Sequence, residues 1–300
     1  MSHSSHHEST PGGQTAPFVA PPWDVGQHVL TPPGRPLVMG VLNLTPDSFH
    51  PDSRAGDIES AVAKGMAMVN AGADILDLGA ASSRPGAESV TAQEEADRLL
   101  PVLSALAKAT DTPLSVDTFR TGVARQALGI SPCVINDITG GQDPGMFELV
   151  ALQECGIVLM HRQGDPKSMQ QSPQYQDPVR EIAEWLSSRA GLAEEAGINP
   201  NRILVDPGIG FGKTRAHNLA LLQRLKEATA GRPHLLGVSR KRFIGEITGA
   251  ETADRLPGSL AALTCAWQAG ASVVRVHDVA ETVQYLEVMS AIAMNGTETE

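Results

Sequence analysis

Aromatic residues make up only 4% of this 300-residue sequence, and cysteines number only three. A core with so few rings must be built mainly from Val, Ile, Leu, Ala and Met. The cysteines, Cys133, Cys155 and Cys265, lie far apart and include no CxxC pair. They therefore predict reduced, mostly buried thiols and not a disulfide framework.

Long apolar segments are also missing. No apolar run approaches the roughly 20 residues that a membrane helix needs, and the N-terminus lacks the apolar segment of a signal peptide. We therefore expect a cytoplasmic protein that does not contact a membrane. The formal net charge of −11 argues against a general nucleic-acid binder, because such proteins present a basic face. It leaves room for a small anionic substrate, since a few cations in one pocket set the local potential.

The chain is predicted to be one domain between two tails. Residues 1–22 are rich in Ser, His, Pro and Gly and are expected to be disordered. Residues 297–300 would form a short C-terminal tail. Residues 23–296 form the domain, which is long enough for one large core.

Eight short β-branched runs recur in this domain, and each ends at a polar residue and precedes a helical pattern. The runs are Leu37–Asn43, Asp74–Gly79, Leu114–Asp117, Cys133–Asp137, Ile157–His161, Ile203–Asp206, Leu235–Ser239 and Ser272–His277. Continuous apolar runs are typical of strands that are buried on both faces. Eight alternating units predict an α/β fold, a single (β/α)₈ barrel. An open doubly wound sheet is the alternative, but no GxGxxG follows the first run.

Amphipathic stretches with helical spacing lie between the runs. They include Ile58–Asn70, Ala92–Ala109, Ala216–Ala230 and Val279–Met294. Asp57 is expected to cap the first of these helices. Thr91 and Glu94 have capping-box spacing before the second.

The carboxyl ends of the strands carry the residues expected to act, because this end of a barrel holds the active site. The polar residues there are Asn43, Asp77, Asp117, Asn136, Asp137, His161, Asp206, Ser239, Lys241, Arg275 and His277. Asp117, Asn136 and Asp206 suit a flat heterocycle with an N–H edge. Cationic donors, Lys241, Arg275, His277 and Arg84, suit a phosphate or diphosphate. Asn43 suits a Mg²⁺ ion bridging that anion.

Some of these residues also have plain structural interpretations. Asp77 is interpreted as a strand-end hydrogen-bonding residue, and Asp137 as the cap of the next turn. For His161, an orienting role and a ligand role both stay open. Lys213 and Arg240 are interpreted as solvated or locally paired. The segment from Asp206 to Thr214 resembles a P-loop, but its glycines have the wrong spacing and Pro207 interrupts it, so an ATPase is not expected.

In these motifs the sequence resembles the dihydropteroate synthase family from about Leu37 to Met294. The motifs are Gly40-Val-Leu-Asn-Leu-Thr-Pro-Asp-Ser-Phe49, Ser82-Ser-Arg-Pro-Gly-Ala87, Ser115-Val-Asp-Thr118, Ile135-Asn-Asp137, Leu159-Met-His161, Asp206-Pro-Gly-Ile-Gly-Phe-Gly-Lys213, Ser239-Arg-Lys241 and Arg275-Val-His-Asp278. Each motif alone is weak, but the ordered set at successive strand ends is specific.

The resemblance implies that 6-hydroxymethyl-7,8-dihydropterin diphosphate and p-aminobenzoate condense to 7,8-dihydropteroate and diphosphate, with Mg²⁺. It also implies sulfonamide inhibitors and a homodimer. The catalytic residues would be Lys241, Arg275, His277 and Asp117. The substrate-binding set would be Asp117, Asn136, Asp206, Lys241, Met160, Phe211, Ser83, Arg84, Pro85, Ser239, Arg242, Arg275 and His277, with Asn43 for the metal. The stretches Thr45–Asp57 and Ala80–Ser89 would close over the site.

Two departures from the family pattern affect these expectations. Ala81 stands where the family commonly has Glu, which leaves the role of that carboxylate without a counterpart. Arg242 stands where the family often has Ser, and we hypothesise that its fork binds the p-aminobenzoate carboxylate.

Three other functions remain open at this point. A pterin-binding methyltransferase would keep the Asp and Asn residues but would need no cluster of Lys241, Arg275 and His277. A Schiff-base aldolase would use Lys241 as its nucleophile. A pterin binder without activity is the third. Its only support is the altered loop after the second strand, Ala80–Ser89, where Ala81 replaces the Glu of the family.

Overall fold

The computed structural model describes residues 18–44, 54–81, 90–164 and 173–295. Eight parallel strands form its centre: β3 (Leu37–Asn43), β4 (Ile75–Gly79), β5 (Leu114–Asp117), β6 (Val134–Asp137), β7 (Ile157–Met160), β8 (Ile203–Asp206), β9 (Leu235–Leu236) and β10 (Val273–Val276). They are hydrogen-bonded in the order β8-β7-β6-β5-β4-β3-β10-β9. A parallel bridge between Val205 and His234 joins the two end strands. The sheet is therefore a barrel, as predicted, and not an open doubly wound sheet.

Helices surround the barrel. They are α1 (Arg54–Asn70), α2 (Ala92–Ala109), α3 (Thr121–Leu128), α4 (Met146–Gln153), α5 (Pro178–Glu195), α6 (Arg215–Gln223), α7 (Leu225–Ala228), α8 (Arg242–Thr248), α9 (Leu256–Ala269) and α10 (Val279–Asn295). None of the helices in the described ranges is long and apolar enough to cross a membrane.

The alternation of side chains along each strand divides the core in two. Val274 and Val276 of β10 belong to the large cluster that includes the helix side chains, so they face outward. Val273 belongs to a smaller cluster formed by strand residues and the N-terminal hairpin, so it faces the barrel interior. Since successive residues of a strand point to opposite faces, Arg275 also faces the interior, one layer nearer the carboxyl end.

A short antiparallel hairpin closes the amino-terminal end of the barrel. Its strands are β1 (Trp23–Asp24) and β2 (Val29–Leu30). Trp23 is 1% exposed and packs with the inward-facing apolar residues that begin the barrel strands. Its indole Nε1 donates a hydrogen bond to the carbonyl of Arg202 over 3.1 Å. Two-residue strands leave no periodic pattern, so the sequence did not predict this plug.

The predicted elements agree with the structure except at some ends. The capping box of Thr91 and Glu94 is confirmed. The prediction that Asp57 caps α1 is wrong: the helix begins at Arg54, and Asp57 lies in its first turn, where a carboxylate favours the helix dipole. The stretch 216–230 is two helices, because Arg224 has a non-helical backbone.

Two further boundaries concern the predicted tails and loops. Residues 1–17 of the predicted N-terminal tail lie outside the described residues, whereas the ring of Phe18 packs on Trp267, with centroids 5.1 Å apart. Most of the two predicted closing loops, together with residues 297–300, also lies outside them. The predicted strand 235–239 is short, since β9 ends before Gly237, a residue that weakens strands.

Candidate active site

Polar side chains form a layer just above the apolar interior of the barrel. Asp77 of β4, Asp117 of β5, Asn136 of β6 and Asp206 of β8 lie here with Arg275 of β10. Each stands two residues beyond an inward-facing position on its strand, so strand periodicity brings them to one level. The structure therefore brings the three residues predicted to suit a flat heterocycle together from three strands, with Asp77 and Arg275 from two more, at the carboxyl end of the barrel.

Arg275 connects this layer across the barrel mouth. Its Nε lies 2.6 Å from Asp77 Oδ2, and its Nη2 lies 2.8 Å from Asp117 Oδ2. The sequence groups Arg275 with the cations for a phosphate and Asp117 with the acceptors for a ring. The structure does not separate these groups, because the planar fork of Arg275 lies between two carboxylates.

Asp77 is the hydrogen-bonding centre beneath Arg275. The carboxylate is fully buried and accepts hydrogen bonds from Ser115 Oγ over 2.6 Å and from Asn136 Nδ2 over 3.2 Å. A buried carboxylate must be paired and hydrogen-bonded to remain charged. The structural interpretation of Asp77 agrees with these contacts, which also orient Asn136 and Arg275.

Burial changes the proton affinity of the carboxylates that would bind substrate. Burial raises the pKa of Asp117 to about 7, although the charge of Arg275 opposes this shift. Burial also raises the pKa of Asp206, against the hydrogen bond from the Gly208 amide and the charge of Lys241. Both carboxyl groups therefore hold a negative charge less readily than a solvated carboxylate, and the neighbouring cations offset part of this cost.

Lys241 lies on the opposite wall, at the start of α8. Its Nζ is 4.1 Å from the centroid of the Phe211 ring, a cation–π contact. Burial lowers the pKa of Lys241 to about 8, and the charge of Asp206 limits the fall. The preceding Arg240 has a φ of 57°, and its guanidinium pairs with Asp278. Arg240 is therefore locally paired, and its strained backbone turns Lys241 toward the mouth.

His277 and Ser239 form a pair beside Arg275. His277 Nδ1 lies 3.0 Å from Ser239 Oγ, which also accepts a hydrogen bond from the His277 amide. Burial and the charge of Arg275 lower the pKa of His277 to about 4. The sequence predicts His277 among the cationic donors; without a bound anion the lowered pKa favours the neutral ring, which still forms hydrogen bonds.

Other predicted residues lie at the rim or outside the described part. Asn43 is exposed at the end of β3. Arg242, whose side chain is 63% exposed, pairs with Glu246 over 2.9 Å, and Met160 is buried at the end of β7. Ser83, Arg84 and Pro85 lie outside the described residues.

One metal ligand was expected, and the described residues contain no cluster of three His, Cys, Asp or Glu side chains that could hold an ion. Asn43 is a hard oxygen donor at the exposed rim. A single protein oxygen fits Mg²⁺, because this ion usually binds through one or two protein ligands, substrate phosphates and water.

Two residues behind the site have contacts that the sequence left open. Asp137 accepts hydrogen bonds from the amides of Thr139 and Gly141, which confirms its capping role. Lys213 is not solvated: it is 1% exposed, and its Nζ lies 3.0 Å from His161 Nδ1. This contact favours the orienting role of His161 over the ligand role. A lysine directly after a glycine-rich loop was the available signal.

Comparison with known proteins places this geometry in a family. The model of the protein family described as pterin binding enzyme matches residues 39–277, so the chain belongs to the pterin-binding enzymes. It is 42% identical over 258 residues to dihydropteroate synthase of Escherichia coli (strain K12), across 86% of this chain and 92% of that one. The enzyme of Neisseria meningitidis serogroup B is 45% identical over 269 residues, across 87% and 94%.

A solved structure gives the same result. Xanthomonas albilineans dihydropteroate synthase with 4-aminobenzoic acid has a TM-score of 0.84 and 44% identity, covering 91% of this chain and 98% of that one. Within the pterin-binding enzymes, the chain belongs to the dihydropteroate synthases. The methyltransferase, aldolase and inactive-binder interpretations are therefore set aside.

Proposed function

We propose that the polar layer and its rim carry out the dihydropteroate synthase reaction with the residues predicted above. In this transferase reaction of folate biosynthesis, 6-hydroxymethyl-7,8-dihydropterin diphosphate and p-aminobenzoate give 7,8-dihydropteroate and diphosphate. The observation that carries the assignment is the buried layer itself. One recess at the barrel mouth, called the cup here, is lined by Asp117, Asn136 and Asp206 together with Lys241 and Arg275. Hydrogen-bond acceptors for a ring and cations for an anion therefore lie around the same space.

The pterin ring would bind deep in this cup. An ionised carboxylate accepts two parallel hydrogen bonds from an amidine-like edge, and Asp206 or Asp117 can supply one. Asn136, held by Asp77, offers its amide to the same ring. Lys241 would donate to the ring carbonyl and nitrogen, and the buried Met160 would contact the ring face.

The diphosphate would lie above the ring, toward the rim. Arg275 carries a fixed charge at this level, and His277 adds a neutral donor or acceptor beside Ser239. Asn43 and Arg84 would complete the group from the first two loops. A Mg²⁺ ion bound there would neutralise charge that develops on the leaving oxygen.

The reaction then needs no nucleophile from the protein. Diphosphate leaves the pterin methylene, the electron-rich ring stabilises the cation that remains, and the amine of p-aminobenzoate attacks it. The amine loses one proton as the new C–N bond forms, and the departing diphosphate, or water at the mouth, accepts it. Fixed charges and positioning would therefore supply most of the rate, and the buried cup keeps water from the cation.

Four further properties are part of the proposal. Arg242 binds the p-aminobenzoate carboxylate, and sulfonamides compete there because they mimic this substrate. The chain forms a homodimer, supported by the exposed apolar side chains of Val288 and Ile292 on α10. The buried free thiols Cys133 and Cys155 favour the cytoplasm.

A coupled diphosphate-release assay tests the assignment. It contains the protein, Mg²⁺ and the dihydropterin diphosphate, with and without p-aminobenzoate. We expect diphosphate and dihydropteroate together, and we expect Lys241→Ala to lose both. Lys226→Ala, which removes an exposed lysine of α7, is the matched control and should retain activity.

Two other results would change the proposal. Diphosphate release without dihydropteroate would place the defect in the p-aminobenzoate site, where Ala81 and Arg242 depart from the family pattern. Tight pterin binding with neither product would contradict the catalytic assignment.

A further inference from the structure

The loop between β8 and α6, residues 206–213, contains a buried lysine that the proposed function does not use. Lys213 is 1% exposed, which is unusual because a buried ammonium group loses its hydration. Its Nζ lies 3.0 Å from His161 Nδ1 and donates to the carbonyls of His161 over 3.3 Å and Phe211 over 2.9 Å. The three N–H groups of an ammonium therefore have three acceptors.

His161 is held as a neutral acceptor for this lysine. Burial and the charge of Lys213 lower the pKa of His161 to about 2. Its ring meets Trp185 edge-on, with centroids 4.9 Å apart, and its amide donates to the Asp206 carbonyl over 2.9 Å. An imidazole that accepts through Nδ1 carries its proton on Nε2, so the contact fixes the tautomer.

The same loop lies directly on the chain that follows β7. Gly208 and Gly212 have φ values of 66° and 63°, a region that favours glycine. A β-carbon at Gly208 would collide with the His161 carbonyl, and one at Gly212 would collide with that of Gln163. The glycines therefore allow close packing, and Lys213 ties the far end of the loop to the same segment.

Three side chains of the site depend on the conformation of this loop. Lys213 fixes the carbonyl of Phe211, whose ring lies under Lys241 Nζ at 4.1 Å. Asp206 begins the loop, and its Oδ1 accepts from the Gly208 amide over 2.7 Å. We infer that Lys213, with His161, is a positioning residue that clamps this loop and so holds Phe211, Asp206 and Lys241 in place for the pterin.

Charge supports the same inference. Asp206 lies close enough to both lysines for each to stabilise its ionised form. Burial lowers the pKa of Lys213 to about 7, while Asp206 opposes that shift and Lys241 adds to it. The Asp206 carboxylate thus interacts with Lys241, which is proposed to contact the substrate, and with Lys213, which contacts His161 and the loop backbone.

The inference rests on the proposed roles of Lys241 and Phe211, so the first test does not depend on turnover. In protein labelled with ¹³C-lysine, which has six lysines to assign, the ε-protons of Lys241 should be shifted upfield by the Phe211 ring. Phe211→Leu gives the reference spectrum without the ring. We expect Lys213→Met to move the Lys241 signal toward that reference.

Kinetics provide the second test. We expect Lys213→Met to lower kcat/KM for the pterin diphosphate about 10- to 100-fold, because small displacements of binding groups have effects of this size. Tyr175→Phe is the matched control: it removes a different hydrogen bond to the loop, from Tyr175 Oη to the Gly212 carbonyl. Its kcat/KM should stay within about threefold of the parent value.

The outcomes separate the inference from the proposed function. A folded Lys213→Met protein whose Lys241 signal keeps the upfield position of the parent protein overturns the positioning role, whatever its activity. Equal kinetic losses in Lys213→Met and Tyr175→Phe also overturn it. If the Met variant does not fold, Lys213→Ala, which also removes all of the Nζ hydrogen bonds, is measured in its place and judged by the same two criteria.

Discussion

The two ends of the barrel interior are built by the same strands but have opposite chemistry. At the amino end, Trp23 closes an apolar layer that includes Ile75 and Val273. At the carboxyl end, Asp77 and Arg275, each two residues further along its strand, form a largely buried ion pair. Two residues along a strand, the repeat of side chains on one face, therefore separate the apolar core from the charged site.

This contrast separates a layer that only stabilises the fold from a layer that also carries the site. Apolar burial stabilises the fold by roughly 25 cal/mol per Å². A buried ion pair adds little net stability, because desolvation offsets its attraction, but removing one partner is costly because the other charge is left unpaired. Substitutions at the amino end should therefore change stability alone, whereas those at the carboxyl end should change both activity and stability.

The largest effect is expected from Arg275→Met at the mouth. It removes the charge proposed to hold the diphosphate and leaves the Asp77 carboxylate without its cation. We expect kcat/KM to fall about 1000-fold and the free energy of unfolding to fall by about 3–5 kcal/mol, measured by diphosphate release and urea unfolding. Arg180→Met removes an exposed pair with Glu184 and should change neither. Unchanged unfolding of the Arg275 variant would contradict the pairing.

The opposite end is tested by Trp23→Ala. Loss of this buried indole should lower the free energy of unfolding by about 3–5 kcal/mol, with KM for both substrates unchanged where the variant is folded. The control is Val29→Ala, since Val29 is an exposed residue of the same hairpin. A large change in KM for Trp23→Ala would show that the two layers are not independent.

The pH dependence of kcat/KM tests the charged groups at the carboxyl end of the barrel. Asp117, whose pKa is raised to about 7 by burial, gains a proton as pH falls below that value and loses its acceptor role. Lys241, whose pKa is lowered to about 8, loses its charge as pH rises above that value. We expect a bell-shaped profile for the pterin diphosphate that falls up to roughly tenfold per pH unit on each side. A flat profile across both values would contradict these assignments.

The smallest effect is expected at the rim, from Arg242→Ala. The side chain is exposed and already paired with Glu246, and exposed ion pairs contribute up to about 1 kcal/mol. KM for p-aminobenzoate should rise up to about fivefold, a factor equivalent to that energy, with kcat unchanged. Arg215→Ala, at another exposed arginine that contacts Glu246, is the control. An unchanged KM would remove Arg242 from the site.

Regular features of this fold could be predicted from the sequence because they repeat. The strands Leu37–Asn43, Leu114–Asp117 and Ile203–Asp206 have the predicted bounds, since buried parallel strands give continuous apolar runs. The polar residues that end the strands meet at the mouth because the carboxyl ends of parallel strands lie at the same end of a barrel.

Contacts between distant segments could not be predicted in this way. The link from Arg275 to Asp77 spans 198 positions of the sequence and follows from barrel closure, which no local pattern records. Lys213 is interpreted from the sequence as solvated or locally paired; its burial could not be predicted, because two of its acceptors are backbone carbonyls, which every residue carries. The Trp23 plug depends on the shape of the closed barrel, so it also has no local signal.

The plug has a consequence for how molecules enter and leave. In the part of the chain that the structure describes, Trp23 closes one end of the barrel, so substrates and products pass through the carboxyl-end mouth. In the proposed arrangement the pterin group would lie deeper than a ligand of Arg242 at the rim. It would therefore have to bind before p-aminobenzoate, and a molecule bound at the rim would block its release.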